Sequence, residues 1–303
     1  MVSASGSDVL RAVEAAQEWL VSCAAGVANR GGSTVTGPSD WVPAGIDVDR
    51  PSAARVYDYF LGGAHNFAVD RALAQQIAAM TPNIGETMRS NRVFLRRAVR
   101  YLVAQGVRQF LDIGSGIPTA GNVHEIALEA APDAAVVYVD IDPVAVEHSR
   151  AILAGVDRAG VICADVRDVE RVLAESEKLG LLDFTKPVAV LLAGVLHFVP
   201  DSDQPAAIVA ALREAMAPGS YLLVSHATAD GQPAEVVEAQ RLSARTATEI
   251  VLRTREQIAT YFDGLALVDP GLVFIPQWRP DPRDPVDEHP EQVGAYAGVG
   301  RKD

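Results

Sequence analysis

The residues best suited to chemistry are carboxylates and glycines that fall where strands end. The sharpest group is Asp112-Ile113-Gly114-Ser115-Gly116. Glycines at such a position let the backbone turn tightly and approach a ligand closely, and a helix following the turn would aim its first amides into the same space. A dinucleotide-binding turn asks for a third small residue three positions after Gly116, but Thr119 stands there, preceded by Pro118. Asp112 immediately before the turn would repel a pyrophosphate. An acid there suits a cationic ligand.

Three further stretches extend the pattern. In Val137-Tyr138-Val139-Asp140-Ile141-Asp142-Pro143, Asp140 lies 24 residues after Gly116, the interval at which an acid ending the second strand binds ribose hydroxyls through both oxygens. Ile141 sits beside it. In Cys163-Ala164-Asp165-Val166, a carboxylate can accept from an adenine amine while a neighbouring backbone amide serves a ring nitrogen. Leu192-Ala193-Gly194-Val195-Leu196-His197 ends the fourth strand, next to the position where open α/β sheets hold ligands. A single Asp at a strand end is as often a helix cap or turn residue. Acids at successive strand ends, in order, point instead to a ligand with an adenosine and a cationic part. S-adenosylmethionine (AdoMet), with its sulfonium and ammonium, is that ligand.

The elements needed to position these residues are legible. From residue 107 the chain alternates strand and helix: strands over 107–113, 134–141, 160–165, 187–194 and 219–227, helices over 119–131, 143–154, 167–178 and 204–217. Strands apolar throughout require cover on both faces, so the expected fold is a doubly wound, mostly parallel Rossmann-like α/β sheet. Helices near 233–247 and 254–262, strand candidates LALVD and LVFIP, and VGAYAGVG (293–300) follow. Upstream, residues 8–25 have helical spacing and lead into a Gly/Ser/Thr-rich linker to about 40. Residues 51–80 read as helix broken at Gly62-Gly63, and a strong helix over 86–105 ends at Gly106, a left-handed cap. The expected organisation is an N-terminal helix and linker (1–40), a helical cap (41–106) and the ligand-binding domain (107–303).

Composition narrows the partners. The 303-residue chain carries a net charge of −13, which disfavours nucleic acid and anionic lipid. The one dense basic cluster, Arg92, Arg96, Arg97 and Arg100, reads as a solvated helix face. Two distant cysteines, Cys23 and Cys163, give neither a disulfide framework nor a thiolate metal site, and no metal is expected. Residues 1–30 lack a secretory pattern, and the best apolar run, 188–199, is too short to span a bilayer. A soluble, cytoplasmic protein is expected. The high ratio of arginine to lysine suggests a bacterial source.

FLDIGSGIP, VVYVDIDP, ADVRD, LLAGVLHFVPD and MAPGSYLLVS resemble, in order, the cofactor motifs of class I AdoMet-dependent methyltransferases. The upstream PSAARVYDYFLGG, with His65-Asn66-Phe67 and Asp70, is similar to a narrower bacterial AdoMet methyltransferase family, long carried as a domain of unknown function, with substrates largely unassigned. The resemblance runs from Trp41 to Lys302. It implies that Asp112, Gly114 and Gly116, with Ser115 between them, line the methionine end of the cofactor. It also implies that Asp140 takes the ribose, that Asp165 and Val166 take the adenine, and that the sheet has seven strands with the last antiparallel. Pro118 departs from the usual small residue and puts the contacts of 117–119 in question.

Methyl transfer from a sulfonium is an in-line displacement that needs alignment and a dry site more than a covalent catalyst. No Asp/Asn-Pro-Pro-aromatic or Pro-Cys segment follows the fourth strand, so the DNA-methylating types are excluded and a small-molecule acceptor, in keeping with secondary metabolism, is expected. His197 and His226, ending neighbouring strands, are candidates for the acceptor side. Tyr57, Tyr59, His65 and Asn66 form a possible acceptor cover, with His197 and Tyr59 nominated as catalytic. Arg89 is a candidate for the cofactor carboxylate and Asn91 for a backbone cap. Ala193 and Ile141 complete the expected cofactor contacts. An AdoMet-binding regulator without transferase activity is the alternative; Asp112 and Thr119 disfavour a nicotinamide oxidoreductase.

Overall fold

The computed structural model describes residues 48–303 except 82, 119–120, 233–249 and 283–286. The helix and linker expected over 1–40, and the helix expected over 233–247, lie outside the described residues. Three helices open the described chain: α1 (Ala53–Phe60), α2 (Ala68–Met80) and α3 (Ile84–Ala104). The alternating part follows as β1 (Gln109–Ile113), α4 (Val123–Ala130), β2 (Ala135–Asp140), α5 (Pro143–Ile152), β3 (Ala159–Cys163), α6 (Val169–Lys178), β4 (Ala189–Ala193), α7 (Pro205–Ala215) and β5 (Tyr221–Ala227). The C-terminal part comprises α8 (Arg255–Ala259), β6 (Ala266–Leu267), β7 (Val273–Phe274) and β8 (Ala295–Arg301).

The sheet runs β3-β2-β1-β4-β5-β8-β6, with β7 also on β8. The first five strands are mutually parallel, and β8 is antiparallel to β5. β6 and β7 pair with successive parts of the outer edge of β8, Ala266 opposite Arg301 and Val273 opposite Ala297. Together they occupy one strand position, so the sheet is seven positions wide with its sixth strand split. Asp269-Pro270-Gly271 lies in the split, where Pro270 has no N–H to give to a ladder. This is the doubly wound α/β architecture of class I methyltransferases.

Each central strand feeds two cores in strict alternation. Phe110, Val136, Tyr138, Leu191 and Leu223 join the α3/α4 side; Leu111, Ile113, Val137, Val139, Leu192 and Val224 join the α7/α8 side. All are buried, which is why the strands read as unbroken apolar runs. α3 contributes Phe94, Leu95, Ala98, Val99, Leu102 and Val103 to the first core, so this helix is part of the sheet's own cover. Trp278, fully buried, meets Phe94 and Tyr101 edge-on at 5.3 and 6.0 Å and closes that side. α1 and α2 instead share a small cluster of Val56, Phe60, Leu73 and Ala74, which makes them the cap proper.

The strand order reverses between β1 and β4. That crevice, at the carboxyl ends of the strands, is where the sequence placed the Asp112–Gly116 turn and the residues that end β4.

Candidate functional site

The turn after β1 is built by two left-handed glycines, Gly114 (φ 72°) and Gly116 (φ 62°). A Cβ on Gly114 would stand 2.5 Å from Val195 Cγ2, so this glycine lets the turn pack against the β4 loop across the switch point. A Cβ on Gly116 would meet only Ala54 of the cap, at 3.9 Å. Gly116 is therefore the glycine that borders open space. Asp140 closes the turn from β2: its Oδ2 accepts from Gly116 N (2.8 Å) and its Oδ1 from Asp142 N (2.9 Å). Asp142 caps α5, accepting from Val144 N at 2.8 Å. The two acids of the Asp-Ile-Asp-Pro segment thus divide the work, and Asp142 is the helix cap.

One expectation is corrected here. The helix after the turn begins at Val123, not Thr119, with Asn122 at its N-cap position and left-handed Gly121 just before it. The amides nearest the ligand space are those of the turn itself. Ser115 N donates to Val139 O (3.2 Å), and its hydroxyl lies 3.4–3.5 Å from the Gly116 and Val139 carbonyls.

Asp112 is 4% exposed and accepts no hydrogen bond among the described residues. Burial pushes its carboxyl up to about 7, against the opposing pull of Arg92 and with the help of nearby Asp140. Burial likewise raises Asp140 to about 6, although the amides of Asp142 and Gly116 hold it down. Arg92, on α3, is the residue sequence reasoning missed. The expected solvated arginine face holds only in part: Arg96 and Arg100 are exposed, whereas Arg92 and Arg97 are half-buried, Arg97 donating to Ile275 O at 3.1 Å. Arg92 lies 5.8 Å from the Tyr57 ring centroid and its Nε is buried. The signal was present, since Arg92 continues the buried stripe Leu95, Val99 and Leu102 by one turn.

At the end of β2, Ile141 is 58% exposed, a large aliphatic side chain left in the open beside Asp140. At the end of β3, the Asp165 carboxylate is engaged by Arg167, whose Nε and NH2 donate at 2.5–3.0 Å while its NH1 reaches Asp203 at 2.9 Å. Burial tends to raise Asp165, but these bonds outweigh it and hold the group below its ordinary range. Val166 buries its side chain in the α7/α8 core, leaving its backbone to the rim. Ala193, the last residue of β4, packs against the α3/α4 core.

His197 and His226 meet edge-on at 5.7 Å. His226, 1% exposed, donates from Nδ1 to Ala227 O (2.7 Å) and accepts at Nε2 from Arg253 NH1 (2.9 Å), which fixes its tautomer because guanidinium only donates. Arg253, also buried, further bonds the carbonyls of Leu196 (3.0 Å) and Val199 (2.9 Å) and the carboxylate of Asp201 (2.6 Å). It clamps the loop that carries His197, a role no sequence pattern announced. Burial, then the charge of the neighbouring groups, pulls His197 down to about 3; burial pulls His226 down to about 4. Both rings are neutral at physiological pH.

The cap meets the rim through α1. Ser52 Oγ donates to Asp142 Oδ2 at 2.8 Å. Tyr57 and Tyr59 point apart. Tyr57 Oη donates to Met88 O (3.2 Å) and accepts from Asn91 Nδ2 (3.2 Å), whereas Tyr59 packs against the cap's own cluster, edge-on to Phe60 at 5.7 Å. Asn91 is no helix cap: it sits inside α3, buried, and its Oδ1 accepts from Ser225 Oγ of β5 at 2.6 Å. Arg89 is exposed and its NH1 lies 3.4 Å from Phe60 O. Within the cap, Asp70 takes Arg55 Nε (2.7 Å), Ser52 N (2.8 Å) and Phe67 N (2.7 Å), and Asp58 takes His65 N and Asn66 Nδ2 at 2.9 Å each. A Cβ on Gly63 would overlap the Asp58 carboxylate, which accounts for the second glycine of the pair.

A glycine turn closed by a strand-end acid, a buried acid before it and an exposed aliphatic ledge beside it, on this sheet order, define an AdoMet-dependent methyltransferase of class I. The family model for S-adenosyl methyltransferases matches residues 39–303, and the chain belongs to that family. A solved structure from Thermobifida fusca, provisionally designated a methyltransferase, is 42% identical and aligns over 88% of this chain and 100% of its own, with a TM-score of 0.79. A DUF574 family protein from Streptomyces avermitilis is 38% identical over 85% of this chain and 99% of its own, with a TM-score of 0.78. Among proteins of curated function, none matches this chain. No helix among the described residues is long and apolar enough to cross a membrane.

Proposed function

We propose that this AdoMet-dependent methyltransferase acts on a small molecule, admitted between the cap and the ends of β4 and β5. The observation that carries this reading is the seat of α1. Ser52 bonds Asp142 and Ala54 lies against Gly116, so the cap is seated directly beside the cofactor turn, a setting that suits a small acceptor. The net charge of −13 points the same way.

When bound, AdoMet supplies an electrophilic methyl on a sulfonium. The residues present fit it. Asp140, which keeps acceptor capacity beyond the backbone amides that engage it, takes the ribose hydroxyls. Ile141 offers an apolar face to adenine, and the backbone around Val166 serves its ring edge. Asp165, occupied by Arg167, is better assigned to holding that rim than to the adenine amine. Gly114, Ser115 and Gly116 give the close approach, and Ala193 leaves room at the end of β4. Asp112 supplies negative charge for a cation in a buried setting, where a charge is worth most.

His197 and Tyr57 face the acceptor side, and Tyr59 supports the cap. An imidazole held down to about 3 is a poor proton acceptor, so His197 acts as a neutral hydrogen-bonding partner that orients the acceptor. This arrangement suits acceptors with a ready lone pair, an amine or an already acidic thiol or phenol, over plain alcohols. Methyl-labelled AdoMet incubated with the enzyme and a metabolite extract should put label into the small-molecule fraction. Label confined to protein or nucleic acid would overturn the reading.

A further inference from the structure

Arg92 and Asp112 are opposite charges that act on one another without pairing. No salt bridge joins them, and among the described residues neither has a hydrogen-bond partner for its charged group. The rest of the molecule shows how unusual this is. Among the described residues every other arginine that is buried or half-buried makes a bond: Arg55 to Asp70, Arg97 to Ile275 O, Arg108 to Asp133, Arg213 to Asp263 O, and Arg253 to four acceptors. Leaving a buried donor unmade is costly, of the order of 1–3 kcal/mol. Arg92 offers five donors in a fixed fork, the geometry that matches a carboxylate.

Nor is Arg92 free to swing away. It starts the buried stripe of α3, the Tyr57 ring lies against its guanidinium, and Tyr57 is itself tied to Asn91 and Met88. Asp112 ends β1 on the same face of the sheet as Phe110, the face α3 covers. An anion-seeking fork and a cation-seeking carboxylate thus flank one space at the mouth of the glycine turn.

We infer that Arg92 and Asp112 are a split pair for an α-amino acid zwitterion, Arg92 binding the carboxylate of the cofactor's methionine and Asp112 facing its ammonium. The inference rests on the AdoMet reading and deepens it. It moves the carboxylate contact from exposed Arg89 to Arg92. It also makes Tyr57 a positioning residue, since its ring and its bonds to α3 hold the guanidinium in place.

Calorimetry with four ligands on the full chain tests it: AdoMet, S-adenosylhomocysteine, decarboxylated AdoMet (ammonium but no carboxylate) and 5′-methylthioadenosine (neither). Arg92→Met should weaken S-adenosylhomocysteine about tenfold to a hundredfold while leaving decarboxylated AdoMet and methylthioadenosine within about twofold. Arg92→Lys should fall between Met and wild type, keeping charge but losing the fork. Asp112→Asn should weaken AdoMet and decarboxylated AdoMet but not methylthioadenosine. Unchanged methylthioadenosine binding certifies that each variant is folded at the site. Arg92→Met weakening all four ligands equally would overturn the inference in favour of packing. Arg89→Met reproducing the selective loss, with Arg92→Met silent, would return the role to Arg89. Wild-type protein that bound none of the four would overturn the cofactor reading itself, and this inference with it.

Discussion

At the end of β1 and on the face of α3 above it, charged groups are buried with their bonding capacity unspent; at the ends of β4 and β5 it is almost wholly spent. Asp112 and Arg92 have no hydrogen-bond partner for their charged groups among the described residues, and Asp112 is lifted to about 7 by its burial. Across the switch point, Arg253 has closed four bonds around the His197 loop and His226 has a fixed tautomer. The first half carries a standing electrostatic cost that a charged ligand would relieve. The second half is a finished scaffold. The contrast separates a region built to bind a charged cofactor from one built to hold a surface still.

The largest break in that contrast should come from Gly114→Val. The side chain would enter Val195 and the backbone would stay at φ 72°, so thermal unfolding of the ligand-free protein should show a loss of about 2–5 kcal/mol. Unaltered stability with binding alone abolished would mean that the ligand, not Val195, fills that space. Asp140→Ala should weaken AdoMet about tenfold to a few hundredfold, and also cost about 1–3 kcal/mol of stability by releasing the Gly116 and Asp142 amides. Calorimetry returning wild-type affinity in a folded variant would remove Asp140 from the ribose. Arg253→Met should reverse the balance, losing about 2–3 kcal/mol in denaturant unfolding but less than about threefold in S-adenosylhomocysteine affinity. A larger loss of affinity than of stability would join the two halves into one unit.

A further effect is a pH slope. Asp112 holds its proton to about pH 7 in the folded protein, whereas the unfolded chain releases it near 3.9. Between those values the folded state binds more protons, so stability falls as pH rises through the window, and Asp140 at about 6 acts in the same sense. Asp112→Asn should therefore exceed the wild-type melting temperature by a margin that is larger at pH 8 than at pH 5, both without ligand. Equal melting temperatures at pH 8 would show that Asp112 is not penalised by its burial.

The sequence reading recovered the five β-α units because doubly covered strands leave unbroken apolar runs and Asp142-Pro143 marks a helix start. It marked both pieces of the sixth strand, in LALVD and LVFIP, but not that they share one position on β8, and it missed the late start of α4, whose N-cap is Asn122. In the site, the acids at strand ends were legible as a series, but their partners were not. Ser52 and Asp142 lie 90 residues apart, and Arg167 claims Asp165 by a side-chain choice no spacing encodes. Arg92 was misread for a physical reason: its i, i+4 relation to Arg96 suggested a solvated face, while its place on the Leu95–Val99–Leu102 stripe turned it inward.

Amide hydrogen exchange with and without S-adenosylhomocysteine sees both halves in one experiment and tests the central claim most directly. Exchange should slow at 113–117 and 140–142 and in the first turn of α1, and stay unchanged at 196–201 and 251–254. Protection centred on 196–201 and 251–254, with the glycine turn unaffected, would contradict the account.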